Sequence, residues 1–303
     1  MNHVVCLIVN PLVTKISEAV LNNCFNILSN DMVLDHAWRW LSAGEAAELL
    51  IHQAPSTGTK QRLQNYCRDN NIDCHIIDAE HRRPKLVIAD MDSTIIEQEC
   101  IDEIADVKGL KEKVAAITEA AMEGELDFNQ ALIARVNLLD GIKKSDLQTI
   151  YDERITPSPE ADILIKALNN IGVYTALVSG GFTFFTDQIK TKLGFDFAHA
   201  NTLGFDQHDQ LTGVVLDDIV NASTKKQTLL TLCQQQGITA QQAWAIGDGA
   251  NDLEMIKAAG LGIAYKAKQK TRDEADTAVQ FAGLKSLLFM MGYSNDEIKA
   301  LSQ

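Results

Sequence analysis

Long apolar runs are missing from this 303-residue chain. No stretch approaches the ~20 residues that a membrane-spanning helix needs, so none is expected. The first residues, MNHVVCLIVNPLV, carry no basic leader and only a short apolar run; they read as a strand, not a signal segment. Basic charge is also scarce. Lys and Arg number 27 against 41 Asp and Glu, a formal net charge of -14. Nucleic acid and anionic membranes both call for a basic surface, so neither is expected as a partner. A small phosphorylated ligand stays open, because one local cationic site suffices for it. The six cysteines, Cys6, Cys24, Cys67, Cys74, Cys100 and Cys233, form no CxxC pair and no framework spacing. They read as reduced, cytoplasmic and mostly buried. The seven histidines show no HxxxH or HExxH pattern, which argues against zinc. Internal repeats and low-complexity segments are absent. What is present is a globular composition, 46% hydrophobic and 22% charged, long enough for one large domain and a smaller one.

Residues 1–80 look self-contained. His3–Val9 is an apolar, β-branched run, Ser17–Leu28 and Gly58–Asp69 carry helical spacing, and Asp73–Ile77 is a short strand. Met32–Trp40 and Ala46–His52 hold apolar stretches that the pattern leaves unassigned. This alternation predicts a small α/β domain of the ferredoxin-like βαββαβ kind, ACT-like in arrangement. Such a domain suits regulation, as an amino-acid sensor, or assembly, and a homodimer stays open. His81-Arg82-Arg83-Pro84-Lys85 reads as a basic linker.

From residue 81 to 303 the rhythm changes. Leu86–Ala89, Val173–Val178, Ala243–Ile246 and Leu261–Ala264 are unbroken apolar runs, the mark of strands buried on both faces. Helical segments separate them at Pro159–Ile171, Phe184–Leu193, Lys225–Gln236 and Asp252–Ala259. The alternation predicts a doubly wound parallel sheet. Phe195–Leu216, with turn-like Asp206–Asp209 inside it, is expected to form a hairpin. Residues 101–155 are helical throughout and fall between the first two strands. An insertion there lies over the strands' carboxyl ends, where such sheets bind ligands, and so reads as a cap.

Three of the predicted strands run into chemistry. Asp90-Met91-Asp92-Ser93-Thr94 follows the first, Ser179-Gly180-Gly181 the second, and Gly247-Asp248-Gly249-Ala250-Asn251-Asp252 the third. Two carboxylates two residues apart repel each other unless a cation intervenes. A hard divalent ion such as Mg²⁺ accepts carboxylate and carbonyl oxygens and removes the conflict. The same ion would let a carboxylate approach an anionic phosphomonoester. An ordinary aspartate is ionised at neutral pH and needs no base to act as nucleophile. Asp90 can attack, and Asp92 can give a proton to the leaving alkoxide and then take one from water. Ser179 and the amides near Gly180 can hold phosphoryl oxygens. A lysine would complete the charge, and on spacing alone Lys225 or Lys226 could serve.

These motifs, in this order, resemble the haloacid dehalogenase superfamily of phosphatases. Within it, ADMDSTIIEQECIDEIAD, AAMEGELDFNQALIARVNLL, VSGGF and AIGDGANDLEMIKAAGLGIAY resemble the phosphoserine phosphatases, over roughly residues 85–285. The resemblance implies a haloacid dehalogenase-like fold and hydrolysis of O-phosphoserine, a step of serine biosynthesis, through a phospho-aspartate. It makes Asp90 nucleophile and metal ligand, and Asp92 acid/base and ligand through its carbonyl. Asp248 becomes the third Mg²⁺ ligand, with Asp252 supporting the site from behind. Ser179, Gly180, Lys225 and Asn251 would bind phosphate or substrate. Glu99 would pair with the substrate ammonium and Arg135 with its carboxylate, while Met122 and Phe128 pack over it. On spacing alone Glu99 and Arg135 read as ordinary charges on amphipathic helices. The alternatives are a phosphatase for another small phosphomonoester and a phosphotransferase that passes the group from Asp90 to another alcohol.

Overall fold

The computed structural model describes residues 3–34, 37–122 and 125–303, with the Met122 side chain outside the described part. The chain opens with β1 (His3–Ile8), α1 (Glu18–Ser29), β2 (Arg39–Ser42), β3 (Ala46–Ile51), α2 (Thr57–Asp69) and β4 (Asp73–Asp78). The four strands make one antiparallel sheet in the order β2-β3-β1-β4, a βαββαβ arrangement. Both helices begin at a serine, Ser17 and Ser56, whose side chain accepts an otherwise orphaned backbone N–H. Their apolar faces, Leu21 and Leu28 from α1 and Leu63 from α2, join Val5, Leu7 and Leu49 in one core. The other face of β1 is buried too: Cys6 and Ile8 belong to the core that holds Leu287 and Phe289. That double burial is why His3–Val9 reads as an unbroken apolar run. In the unassigned stretches, strand begins only at Arg39 and Ala46.

The second sheet is wholly parallel. Its chain order is β5 (Leu86–Ala89), four helices α3 (Cys100–Val107), α4 (Lys111–Met122), α5 (Phe128–Asn137) and α6 (Lys144–Arg154), then α7 (Ala161–Asn170) and β6 (Tyr174–Phe182). Next come α8 (Thr183–Leu193), β7 (Phe197–Asn201), β8 (Leu203–Phe205), β9 (Leu211–Val215), α9 (Ala222–Gln235) and β10 (Ala243–Gly247). The chain closes with α10 (Leu253–Ala258), β11 (Leu261–Tyr265), α11 (Gln269–Glu274), β12 (Thr277–Val279), α12 (Ser286–Met290) and α13 (Asn295–Leu301). The strands lie in the order β12-β11-β10-β5-β6-β7. Chain progress runs outward in opposite directions from the β10–β5 pair. Loops leaving these two strands therefore diverge and open a crevice at their carboxyl ends.

The predicted hairpin is a correction in part. Only β8 and β9 pair antiparallel; Phe197–Asn201 joins the main sheet as its edge strand β7. In its sequence, FAHAN, the polar His199 and Asn201 alternate with alanines, and its first three residues are only partly buried, as suits a sheet's edge. Helices α3, α4 and α5 contribute side chains to the cavity in the crevice. The chain leaves for them and returns side by side, with Glu97 N–H bonding Thr156 O at 3.0 Å and Ser158 N–H bonding Ile95 O at 2.8 Å. The β8–β9 hairpin steadies their far end: Gly141 N–H donates to Leu211 O at 2.8 Å and Leu211 N–H to Ile142 O at 2.7 Å.

The basic stretch read as a linker is pinned along its length. Trp244 Nε1 donates to His81 O at 3.2 Å, Arg82 Nε to Met290 O at 2.7 Å, and Lys85 N–H to Gln242 O at 2.7 Å. Arg82 also pairs with the buried Glu48. The two sheets meet through further polar contacts. Asp73 accepts the N–H groups of Gln280, Phe281 and Ala282 at 2.8, 3.1 and 2.9 Å. His75 Nδ1 lies 2.7 Å from Thr277 Oγ1, and Lys285 Nζ 2.6 Å from Glu45.

Candidate active site

Asp90 stands where β5 ends, its N–H held by Ile246 O of β10 at 2.9 Å. It is 4% exposed, and the Met91 N–H donates to its Oδ1 at 2.8 Å. Lys225 Nζ, fully buried on α9, lies 2.7 Å from the same oxygen and 2.6 Å from Asp252 Oδ1. Burial alone would lower this ammonium's pKa; the Asp252 and Asp90 carboxylates outweigh that and hold it above its ordinary value. Asp252 reaches Lys225 because residue 247 is glycine: a Cβ there would sit 2.4 Å from Asp252 Cγ. The other Asp252 oxygen accepts the Gly249 N–H at 3.0 Å.

Asp90, Asp248 and Asp252 each bring a carboxylate oxygen within 4.8 Å of the others. One ammonium cannot neutralise three carboxylates, and the excess registers at Asp248 and Asp90. Burial first, then Asp252, pushes Asp248 up to about 7; burial and Asp252 also raise Asp90 well above the usual carboxylate range. A hard, oxygen-seeking divalent cation fits this donor set, whereas zinc would look for nitrogen or sulfur.

Asp92, two residues on, is buried against α3. The Cys100 N–H approaches its Oδ2 at 3.4 Å, while Oδ1 is buried with no hydrogen-bond partner among the described residues. Burial first, then the Glu99 carboxylate, pushes Asp92 up to about 8. The chain turns between these groups at Ser93, whose φ of 55° is left-handed, and the Ser93 hydroxyl donates to Glu99 Oε1 at 2.6 Å. From β6, the Ser179 hydroxyl accepts the Gly181 N–H at 2.8 Å and keeps its own hydrogen to donate.

One cavity of about 640 Å³ joins these groups to the covering helices. Asp90, Asp92, Asp248 and Ser179 line its floor, with Gly180 and Asn251 beside them. Glu99, Phe128 and Arg135 line it from α3's start and from α5. Phe128 comes so close that a Cβ on residue 180 would lie 3.0 Å from its ring, so any larger residue there would have to push the ring aside. Arg135 Nε donates to Ala131 O at 3.2 Å, leaving its terminal NH₂ groups for another partner. Lys225 lies beneath the floor, against Asp90. Met122 was also expected here, but its side chain lies outside the described residues.

Sequence reasoning passed over Asn201. Its side chain donates to Gly180 O at 2.8 Å and accepts the Val220 N–H at 2.8 Å, fixing the loop after β6. An asparagine ending a strand was the only signal, and it is a weak one. Lys268, Lys270 and Thr271 also line the cavity and had been given no role.

A match to the haloacid dehalogenase-like hydrolases covers residues 84–260. A phosphoserine phosphatase of Vibrio cholerae is 46% identical over 209 residues; the match spans 69% of this chain and 63% of that relative. A probable phosphoserine phosphatase of Schizosaccharomyces pombe is 36% identical over 287 residues, 93% of this chain and 96% of the relative. A crystal structure of a haloacid dehalogenase family hydrolase from Salmonella enterica serovar Typhi superposes with a TM-score of 0.85 at 30% identity, covering 96% of this chain and 98% of that one.

Proposed function

The chain belongs to the haloacid dehalogenase-like hydrolases, and from that premise we propose that it is a Mg²⁺-dependent phosphoserine phosphatase acting through a phospho-aspartate on Asp90. One observation carries the reading. A single cavity is lined both by the buried aspartates and by the carboxylate of Glu99 and the guanidinium of Arg135. An amino acid carrying a phosphate has the complementary groups. Arginine's planar fork takes a carboxylate through two parallel hydrogen bonds, and a carboxylate takes an ammonium.

Asp90, Asp248 and the Asp92 carbonyl would hold Mg²⁺, with Asp252 behind them. When bound, the ion offsets the repulsion between carboxylates and phosphoryl group. Asp90 attacks phosphorus and the ester oxygen departs. Asp92, protonated near neutrality because it is buried, gives that oxygen its proton and leaves as free serine's hydroxyl what was an alkoxide. The Asp92 carboxylate then takes a proton from the water that attacks phospho-Asp90, releasing inorganic phosphate and restoring Asp90. Lys225, the Ser179 hydroxyl and the amides near Gly180 steady the phosphoryl oxygens. Phe128 closes the cavity over the substrate's carbon chain and limits water.

The test compares phosphate release from O-phospho-L-serine, phosphoethanolamine and glycerol phosphate. Phosphoethanolamine lacks the carboxylate and glycerol phosphate lacks both groups. The reading predicts a kcat/KM for phosphoserine at least about a hundred-fold higher, since a desolvated site built for polar groups rejects analogues that leave it unpaired. Equal rates would sink the substrate assignment, and transfer to an added alcohol would favour the phosphotransferase alternative.

A further inference from the structure

The cations nearest the aspartates already face carboxylates. Lys225 lies between Asp90 and Asp252, and Arg135 faces the fields of Asp102 and Glu99. Four carboxylates, Asp90, Asp92, Glu99 and Asp248, line the same space. In a chain of net charge -14, an incoming dianion meets repulsion before it meets Lys225.

Two cations stand outside this arrangement. Lys268 precedes α11 and Lys270 lies in its first turn; both are exposed and both line the cavity. Neither is in an ion pair among the described residues. Glu274, whose field Lys270 shares, is itself paired with Lys257. Their backbone is fixed: Lys266 N–H donates to Val279 O of β12 at 2.7 Å, Arg272 Nη1 to Ala267 O at 2.5 Å, and Thr271 is buried beneath. A cation held at the rim of an acidic cleft, with no carboxylate of its own, acts on whatever charge approaches.

We propose that Lys268 and Lys270 are specificity-determining residues that select for charge, drawing a phosphomonoester dianion into the acidic cavity in preference to the dephosphorylated product. The inference rests on the phosphatase reading above. Serine, a zwitterion without net charge, gains little from this field, so the pair distinguishes substrate from organic product. Inorganic phosphate does feel it, which makes phosphate a probe independent of turnover.

The experiment uses the full-length chain with Lys268→Gln/Lys270→Gln and with Lys268→Arg/Lys270→Arg, on O-phosphoserine and an aryl phosphate, at low and high ionic strength. For the double glutamine variant kcat/KM is expected to fall about ten-fold at low salt and to approach wild type near 0.5 M salt, as screening shortens the reach of exposed charge. The loss resides in KM, and arginine restores the wild-type value. Calorimetric binding of inorganic phosphate weakens in parallel, while inhibition by serine does not change. An unchanged kcat/KM and salt slope would overturn the proposal, as would a loss confined to kcat that salt does not relieve. Cleavage of the aryl phosphate alone, with the lysine-dependent salt effect intact, would defeat the phosphoserine assignment and leave this proposal standing.

Discussion

Asp92 shows how environment prepares a residue for the role proposed for it. Its carboxyl is pushed up to about 8 by burial and then by Glu99, so it holds a proton where an ordinary aspartate would not. Asparagine keeps its shape and removes proton transfer. Asp92→Asn is expected to lower kcat by about 10² to 10⁴-fold, the usual worth of general acid–base catalysis. The melting temperature should hold, since no buried charge is introduced. Steady-state kinetics with a thermal melt checks both. At Arg135, lysine keeps the charge and loses the fork. Arg135→Lys should raise KM for phosphoserine about ten-fold, the worth of roughly one charge-assisted hydrogen bond, and leave phosphoethanolamine nearly untouched. A matching rise for both substrates would contradict the pairing of Arg135 with a carboxylate. Asp90, Asp92 and Asp248 were visible in the sequence because their motifs directly follow apolar strands. Asn201 was not, because its work is done through backbone groups of residues 180 and 220.

Elements place these groups. Strands β5 and β10 lie side by side, so motifs more than 150 residues apart in sequence face one crevice. The central strands were legible because burial on both faces leaves mostly apolar residues. Strand β7 was not, because its alternation resembled the hairpin that follows it, and β12 spans just Thr277–Val279. A close approach at the end of β10 yields a sharper test. In Gly247→Ala the new Cβ would fall within 2.5 Å of Asp252 side-chain atoms, displacing Asp252 and with it Lys225. A shift of about 1 Å at a catalytic group can cost 10²-fold, so kcat should fall by about that factor with the far-ultraviolet spectrum unchanged. Wild-type kcat in this variant would mean that the Asp252–Lys225 contact does not position the site.

At the scale of the whole molecule the two sheets share an interior that includes ionisable groups. His75 is fully buried, and burial pushes its pKa down to about 3 from an ordinary 6.5. Its folded-state pKa is depressed, so its neutral ring is compatible with the fold above 6.5, and stability is lost as pH falls from 6.5 toward 3. The slope is about 1.4 kcal/mol per pH unit, because the unfolded chain takes a proton that the folded one refuses. Asp73, pushed up to about 6 by burial, works the other way as the pH falls through that value. Comparing wild type with His75→Gln isolates the histidine. Between pH 7 and pH 5 the wild type should lose about 2 kcal/mol relative to the variant in denaturant titrations. Parallel pH profiles would show that the junction does not hold His75 neutral. None of these cross-sheet contacts was visible in sequence. Asp73 and Gln280 are 207 residues apart, and nothing in either neighbourhood names the other.

The most direct test of the central claim is phosphate release from O-phospho-L-serine, with and without Mg²⁺, by wild type and Asp90→Asn. The substitution preserves shape and removes the anionic nucleophile. The predicted result is Mg²⁺-dependent release by the wild type that vanishes in the variant. Full activity in the variant would contradict the phospho-aspartate route.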